Sequence, residues 1–124
     1  MVIYFKSEKA LRHLLKNGIV YTLREQRRKR NGKDWITTQK GGSKIADVII
    51  KEVAFVNMVN DSPYNDVKVI TWDELNSYVR NSGFSSLSEW IAEYWTLHKK
   101  RGRIPTFAWL YEVKLEADSL ANKK

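Results

Sequence analysis

The sequence predicts an α+β fold, in which a small, partly open mixed β-barrel has helices packed at its sides. Strand-like runs occur near both ends and in the middle of the chain, and two helices with capping signals lie between the central run and the last one. The regular alternation of strand and helix that a doubly wound parallel sheet needs is missing. The 124 residues, 43% of them hydrophobic, suffice for one core, so we expect a single domain over residues 1–117 and a frayed polar tail over residues 118–124.

The first elements are predicted as a strand over residues 2–6 and a helix over residues 8–16. The strand residues are β-branched and aromatic, and the helix carries one apolar stripe of leucines. Ser7 is the expected N-cap of this helix, and Gly18 occupies the position at which helices commonly end.

Residues 19–24 alternate in the manner of a second strand. Its apolar positions are Ile19, Tyr21 and Leu23. We expect these side chains to face the core, which places Thr22 and Arg24 on the opposite face, beside a cleft. 

A strongly basic segment follows over residues 24–33. Its six cations, interrupted by one acid, are Arg24, Arg27, Arg28, Lys29, Arg30 and Lys33. The turn pair Asn31-Gly32 predicts a basic hairpin or loop. A second set of cations is Lys99, Lys100, Arg101 and Arg103, and two further lysines are Lys40 and Lys44.

The middle of the chain contains the longest strand-like run, over residues 44–56, with apolar residues at alternate positions on both faces. This pattern predicts a central strand that is buried on both sides. Residues 57–68 are predicted as a loop, with a short strand returning at residues 67–70.

Two capping boxes predict two helices in the second half. One opens at Thr71 with Glu74 as its partner, and the other opens at Ser86 with Glu89 and continues to His98. Residues 107–115 alternate strictly and predict a closing strand with one buried face. Four tryptophans on apolar stripes are predicted in the core, namely Trp72, Trp90, Trp95 and Trp109.

Five short segments together carry a family resemblance. They are Asn17-Gly18, the strand Tyr21-Thr22-Leu23-Arg24, residues 46–53, the run Ser86-Leu87-Ser88-Glu89-Trp90 with Trp95 and His98, and residues 110–115. In order and composition they resemble the ASCH domains of the PUA-like superfamily. The resemblance implies a β-barrel of the PUA type, with a cleft that is lined partly by the Thr-x-Arg strand and accepts RNA or a nucleoside.

One branch of that family resembles small amidohydrolases that act on modified nucleosides with a Lys, a Thr and a Glu. In the family's Lys-Thr-x-Thr-x-Arg strand the Lys position is Ile19 here and the first Thr is Val20, while Thr22 is retained. The acidic partner falls near Gly83. An isoleucine cannot act as a base, so a hydrolase with Thr22 as its nucleophile would need a lysine from elsewhere, such as Lys40 or Lys44.

The sequence therefore predicts a nucleic-acid-binding protein, with RNA more likely than DNA on the family resemblance alone. The net charge of +8 favours a polyanion, because each neutralised phosphate releases counterions. Trp35, beside the basic segment, is predicted to stack on an unpaired base, and Arg24 to take part in base recognition. A solvated charged loop is the alternative reading of the cations, and a small hydrolase (nucleoside amidohydrolase or ribonuclease) is the alternative function.

The composition also narrows the remaining possibilities. The chain has no cysteine, which excludes disulfides and thiolate metal sites, and its two histidines, His13 and His98, have no partners at metal-binding spacing. We expect no cofactor, no metal and no membrane partner, and a cytoplasmic protein, since the chain has neither a signal sequence nor an apolar run long enough for a membrane span. The sequence leaves the oligomeric state open.

Overall fold

A computed structural model describes residues 2–4, 8–25, 27, 31–37, 44–57, 66–98 and 106–116 of the chain. The elements are β1 (Val2–Tyr4), α1 (Glu8–Asn17), β2 (Ile19–Arg24), β3 (Gly32–Thr37), β4 (Ala46–Asn57), β5 (Val69–Thr71), a 3₁₀ helix (Asp73–Asn81), α2 (Leu87–His98) and β6 (Ala108–Leu115). Helices and a mostly antiparallel sheet confirm the predicted α+β class.

The strands form one mixed sheet in the order β1-β3-β4-β6-β2, with β5 beside the C-terminal end of β4. Antiparallel pairing joins β3, β4, β6 and β2, whereas β1 is parallel to β3 and β5 is parallel to β4. Among the described strands, β1 and β2 lie at opposite ends of this path, so the sheet is open and does not close into the expected barrel. β2 and β3 are not neighbours, so the basic segment between them is a connection across the sheet rather than a hairpin.

The central strand β4 changes its pattern of burial at a bulge. Its register against β6 shifts between Glu52 and Ala54, which leaves Val53 as the extra residue. Before the bulge only alternate residues are buried, and the side chain of Ile49 is 45% exposed. After the bulge three consecutive residues are buried, namely Ala54, Phe55 and Val56. The prediction of burial on both faces is therefore right for the second half of the strand and wrong for the first.

Two apolar clusters cover the two sides of the sheet. On the side that we call the α1 face, Leu14 of α1 packs with Val20, Ile50 and Val113 of the sheet. On the opposite side, the α2 face, residues of α2 and of the 3₁₀ helix pack against β2, β4 and β6; the buried ones include Leu23, Leu75, Trp90, Tyr94 and Leu110. The basic segment therefore leads from a strand that is covered on both sides.

The predicted helix ends are largely confirmed, with one change of helix type. Thr71 N donates to Glu74 Oε1 at 3.1 Å and Glu74 N donates to Thr71 Oγ1 at 3.4 Å, so the first capping box is formed, although the helix it opens is 3₁₀ rather than α. At α2, Glu89 N donates to Ser86 Oγ at 3.1 Å. Gly18 N donates to Leu14 O at 2.8 Å with a φ of +81°, the expected end of α1.

Some predictions differ from the structure or lie outside the described residues. The short strand expected at residues 67–70 is β5, which begins two residues later. Of the four tryptophans predicted in the core, Trp90 and Trp109 are buried, whereas Trp95 is 37% exposed. Ser7 and the tail at 118–124 lie outside the described residues.

Candidate nucleic-acid interface

The α1 face changes from apolar to polar along three neighbouring rows of side chains that cross β2, β6 and β4. In the register of these strands the rows are Val20, Val113 and Ile50, then Thr22, Tyr111 and Glu52, then Arg24, Trp109 and Phe55. The first row belongs to the cluster packed around α1. The second row brings a hydroxyl, a phenol and a carboxylate together, because directly paired residues of an antiparallel sheet share a face. Tyr111, Trp109 and Phe55 are buried members of the same cluster, so the polar groups of these two rows are Thr22, Glu52 and Arg24 together with the phenol of Tyr111. We therefore treat the second and third rows as the polar end of the α1 face.

Thr22 lies at the boundary between the apolar core and this polar end. Its side chain is buried, with 6% of the residue exposed, and its Oγ1 has no hydrogen-bond partner in the part of the chain that the structure describes. Leaving a buried hydroxyl unsatisfied costs about 1–3 kcal/mol, so such a group invites a functional explanation. The sequence interpretation placed Thr22 away from the core, which is wrong because apolar clusters cover both faces of β2.

Arg27 is held over the polar end by two carboxylates and an indole. Its Nε donates to Glu52 Oε1 at 2.8 Å and its Nη2 to Glu52 Oε2 at 3.1 Å, and Asp66 Oδ2 lies 3.8 Å away. The guanidinium also lies 5.0 Å from the ring centroid of Trp109. The hydrogen bond to Glu52 raises the pKa of Arg27 above its ordinary value. Arg27 is therefore a fixed cation bound to protein carboxylates, not the free phosphate contact that the sequence predicts.

Glu52 also holds the other end of the basic segment. Its backbone N donates to Asn31 Oδ1 at 2.9 Å, so Arg27 and Asn31 both contact this one residue of β4. Arg28, Lys29 and Arg30 stand between these two contacts in the sequence and lie outside the described residues. The segment that carries these three cations thus begins and ends beside the polar end of the α1 face.

The remaining predicted residues that the structure describes are dispersed. Arg24 is half-buried in the third row, whereas Lys33 and Trp35 lie on the α2 face of β3, on the far side of the sheet from Arg24. The structure thus does not bring Arg24 and Trp35 together. Lys44 Nζ forms an exposed ion pair with Asp47 Oδ1 at 2.8 Å. The predicted residues outside the described ranges are Lys40, Lys99, Lys100, Arg101 and Arg103.

The structure describes the side-chain contacts of one of the two histidines, His13. His13 Nε2 lies 3.1 Å from Asn81 Oδ1 and its Nδ1 lies 3.2 Å from Asn17 Nδ2, so this ring links α1 to the 3₁₀ helix. The side chain of His98 is outside the described part of the structure. Within the described residues no group of three His, Asp or Glu side chains is arranged to hold a metal ion.

An open cavity of about 460 Å³ lies beside α1 and was not predicted from the sequence. Cationic side chains of α1 line one wall, and Ser85 and Glu89 belong to the other. Two of the cations are already paired, Lys9 with Glu89 at 3.0 Å and Arg12 with Glu8 at 2.7 Å. Two of the three lining cations are therefore paired with carboxylates, one of which, Glu89, belongs to the lining, and we treat the polar end of the α1 face as the stronger candidate.

Sequence reasoning also missed Glu52, Tyr111 and Trp109 as members of the candidate site. A signal for Glu52 was present, since a carboxylate in the middle of an otherwise apolar strand is costly to bury without a partner. The partner itself could not be identified, because Arg27 is one of six cations in its segment.

None of the helices in the described ranges is long and apolar enough to cross a membrane. Comparison of the chain with protein-family models, with curated proteins and with solved structures found no match.

Proposed function

We propose that this chain binds single-stranded nucleic acid, RNA in preference to DNA, at the polar end of the α1 face and along the basic segment 24–33. The observation that carries the proposal is the buried hydroxyl of Thr22, which has no hydrogen-bond partner within the described residues and lies two residues before Arg24 on the same face of β2. The resemblance to ASCH domains of the PUA-like superfamily is part of the same proposal and is the reason for preferring RNA.

We assign different roles in binding to β2 and to the basic segment. Thr22 Oγ1 is buried in the free protein, so the proposal requires that this end of the α1 face opens when the ligand binds. The hydroxyl then donates or accepts one hydrogen bond to a base edge or a ribose hydroxyl, which is the kind of contact that distinguishes nucleic acids. Arg28, Lys29 and Arg30 supply positive charge for phosphates, a contribution that does not depend on sequence. Arg27 has a different part, because its pairing with Glu52 positions the segment instead of contacting the ligand.

The proposal is tested by titrating the protein with single-stranded RNA, duplex RNA and duplex DNA at several salt concentrations. We expect the single strand to bind best and its affinity to fall as salt rises. In the variant Arg28→Ala/Lys29→Ala/Arg30→Ala the slope of log K against log salt should become shallower by about 2, since each phosphate contact on a single strand contributes about 0.7.

A matched variant separates local contacts from net charge. Arg12→Ala/Lys16→Ala/Arg80→Ala removes the same three charges from exposed residues elsewhere, so its slope should remain close to that of the wild type. Equal loss in both triple variants, or no binding by the wild-type protein, would contradict the proposal.

A hydrolase is the second candidate, because Thr22 occupies the position of the threonine in the family that the sequence resembles, and its hydroxyl has no hydrogen-bond partner in the described part of the chain. A threonine nucleophile needs a base, and none contacts Oγ1 among the described residues. Incubation with acetylated cytidine and with single-stranded RNA decides between the two functions. Turnover that is lost in Thr22→Val would replace the binding proposal with an enzymatic one.

A further inference from the structure

Within the described residues, α2 and the 3₁₀ helix cover only part of the α2 face of the sheet. Tyr21 and Leu23 of β2 pack under α2 and the 3₁₀ helix, and the ring of Tyr21 meets that of Tyr78 at 5.0 Å. Beyond Tyr21, toward the N-terminal half of β4, neither apolar cluster of the described residues includes Ile49, which is 45% exposed. This is an unusual exposure for a large aliphatic side chain at the centre of a sheet.

Lysines surround this exposed isoleucine. The register pairs Ile49 with Lys33 of β3 on one side and with Lys114 of β6 on the other, and Lys51 lies two residues further along β4 on the same face. All three lysines are exposed. Lys33 and Lys114 are separated by two strand spacings, or about 10 Å. Together with Ile49 and Trp35, which is half-buried on the same face, they form what we call the lysine face.

The charge of the lysine face is only partly balanced. Glu112 is engaged twice, by Lys114 Nζ at 3.4 Å and by the Tyr21 hydroxyl at 3.2 Å. Asp47 is paired with Lys44. Lys33 and Lys51 have no ion-pair partner within the described ranges. Two ammonium groups are therefore available beside an exposed apolar side chain and an indole.

We propose that the lysine face is a second contact surface for the same single-stranded nucleic acid, with phosphates at Lys33 and Lys51 and a base against Ile49 and Trp35. This inference rests on the proposed function. A polyanion satisfies the lysines, but only a ligand that also offers flat apolar groups uses Ile49 and Trp35, and unstacked bases do so while a duplex hides them. An open sheet face with cations and an aromatic residue is a suitable platform for this purpose.

The basic segment connects the two surfaces along the chain. It begins at Arg24, on the α1 face of β2, and ends at Lys33, on the α2 face of β3. The residues that flank its three central cations contact Glu52, which belongs to the α1 face. The two described ends of the segment therefore lie on opposite sides of the sheet.

The test measures oligouridylate binding by fluorescence anisotropy, using a strand of about 16 nucleotides, the upper end of the site size of small single-strand-binding domains. In Lys33→Ala/Lys51→Ala the slope of log K against log salt should become shallower by about 1.4, corresponding to two phosphate contacts. The matched variant Lys16→Ala/Lys68→Ala removes two exposed lysines elsewhere and should leave the slope unchanged. Ile49→Ser should weaken binding without changing the slope, because it removes no charge.

Each outcome shows whether the proposed function or only this inference fails. If the wild type does not bind oligouridylate, the proposed function fails and this inference fails with it. If the wild type binds, and the two lysine pairs have equal effects, the lysine face is not a contact surface and only this inference is wrong. If Lys33→Ala/Lys51→Ala weakens binding of polyglutamate or duplex DNA as much as that of oligouridylate, the surface is a general cation patch and the inference is also wrong.

Discussion

Arg27 and Glu52, 25 residues apart in the sequence, form a two-pronged ion pair, Nε to Oε1 at 2.8 Å and Nη2 to Oε2 at 3.1 Å. The pair fixes the basic segment to the centre of the sheet at the residue just before its three central cations. The Arg27 guanidinium lies over the ring of Trp109, and its Nη2 has Asp66 Oδ2 as a further neighbour at 3.8 Å. A bidentate pair constrains orientation as well as distance. We therefore regard it as the contact that decides where the segment emerges from the fold.

Coupling between Arg27 and Glu52 is measurable with a double-mutant cycle. Arg27→Ala and Glu52→Ala should each lower the thermal midpoint. The double variant should lose much less than the two single losses added together, because the second substitution no longer breaks the pair. The exposed pair Lys44–Asp47 provides the control, and the coupling between these two residues should be close to zero. Additive losses at Arg27 and Glu52 would show that the pair does not act as a unit.

The turn at Gly83 predicts a difference between two glycine substitutions. Gly18 and Gly83 have φ values of +81° and +90°, so alanine is strained at both by about 1–2 kcal/mol. A Cβ at Gly83 would in addition lie 2.7 Å from Lys9 O of α1, whereas none of the surroundings lies within 4 Å at Gly18. Gly83→Ala should therefore cost about 2–5 kcal/mol in total, since overpacking adds about 1–3 kcal/mol. Chemical denaturation measures both, and equal costs would contradict the close approach of this turn to α1.

Tyr94 predicts a loss of stability at alkaline pH. Burial, the main cause, raises the pKa of this phenol above its ordinary value, and its hydroxyl donates to Phe107 O at 2.8 Å. Above pH 10 the unfolded chain loses this proton while the folded chain keeps it, so the contribution is complete below the unfolded pKa and declines as pH rises. The free energy of unfolding should fall more steeply in the wild type than in Tyr94→Phe, by up to about 1.4 kcal/mol per pH unit. Parallel curves from pH 8 to pH 11 would refute the assignment.

Local signals explain why much of the secondary structure was predictable. The capping pairs Thr71–Glu74 and Ser86–Glu89 and the helix end at Gly18 each depend on residues a few positions apart, and all three form the expected hydrogen bonds. The strand order was not predictable, because it depends on contacts such as that between Tyr21 and Glu112, which are distant in sequence. The bulge at Val53 likewise arises from the pairing of β4 with β6, and the local sequence of β4 does not indicate it.

The sequence predicted correctly which candidate residues share a face within one strand, but not which residues of different strands lie together. Thr22 and Arg24 alternate on β2, so their shared face follows from the strand period. Trp35 was grouped with them because it is near the same cations in sequence, but the register of β3 places it on the other side of the sheet. Glu52 could be assigned to the site only from the strand order, since β6 lies between β2 and β4.

Our central claim is that Thr22 keeps an unsatisfied hydroxyl in order to contact a ligand, at a cost in stability. Thr22→Val removes the hydroxyl at nearly constant shape, and Thr37→Val is the control, since Thr37 is equally buried but engages in other contacts.

The decisive measurement is the free energy of unfolding and the RNA affinity of both variants side by side. We predict that Thr22→Val stabilises the fold by about 1 kcal/mol or more and weakens RNA binding about tenfold, the equivalent of one hydrogen bond. Thr37→Val should be no more stable than the wild type and should bind RNA equally well. A Thr22→Val protein that is less stable and binds RNA with unchanged affinity would contradict the claim.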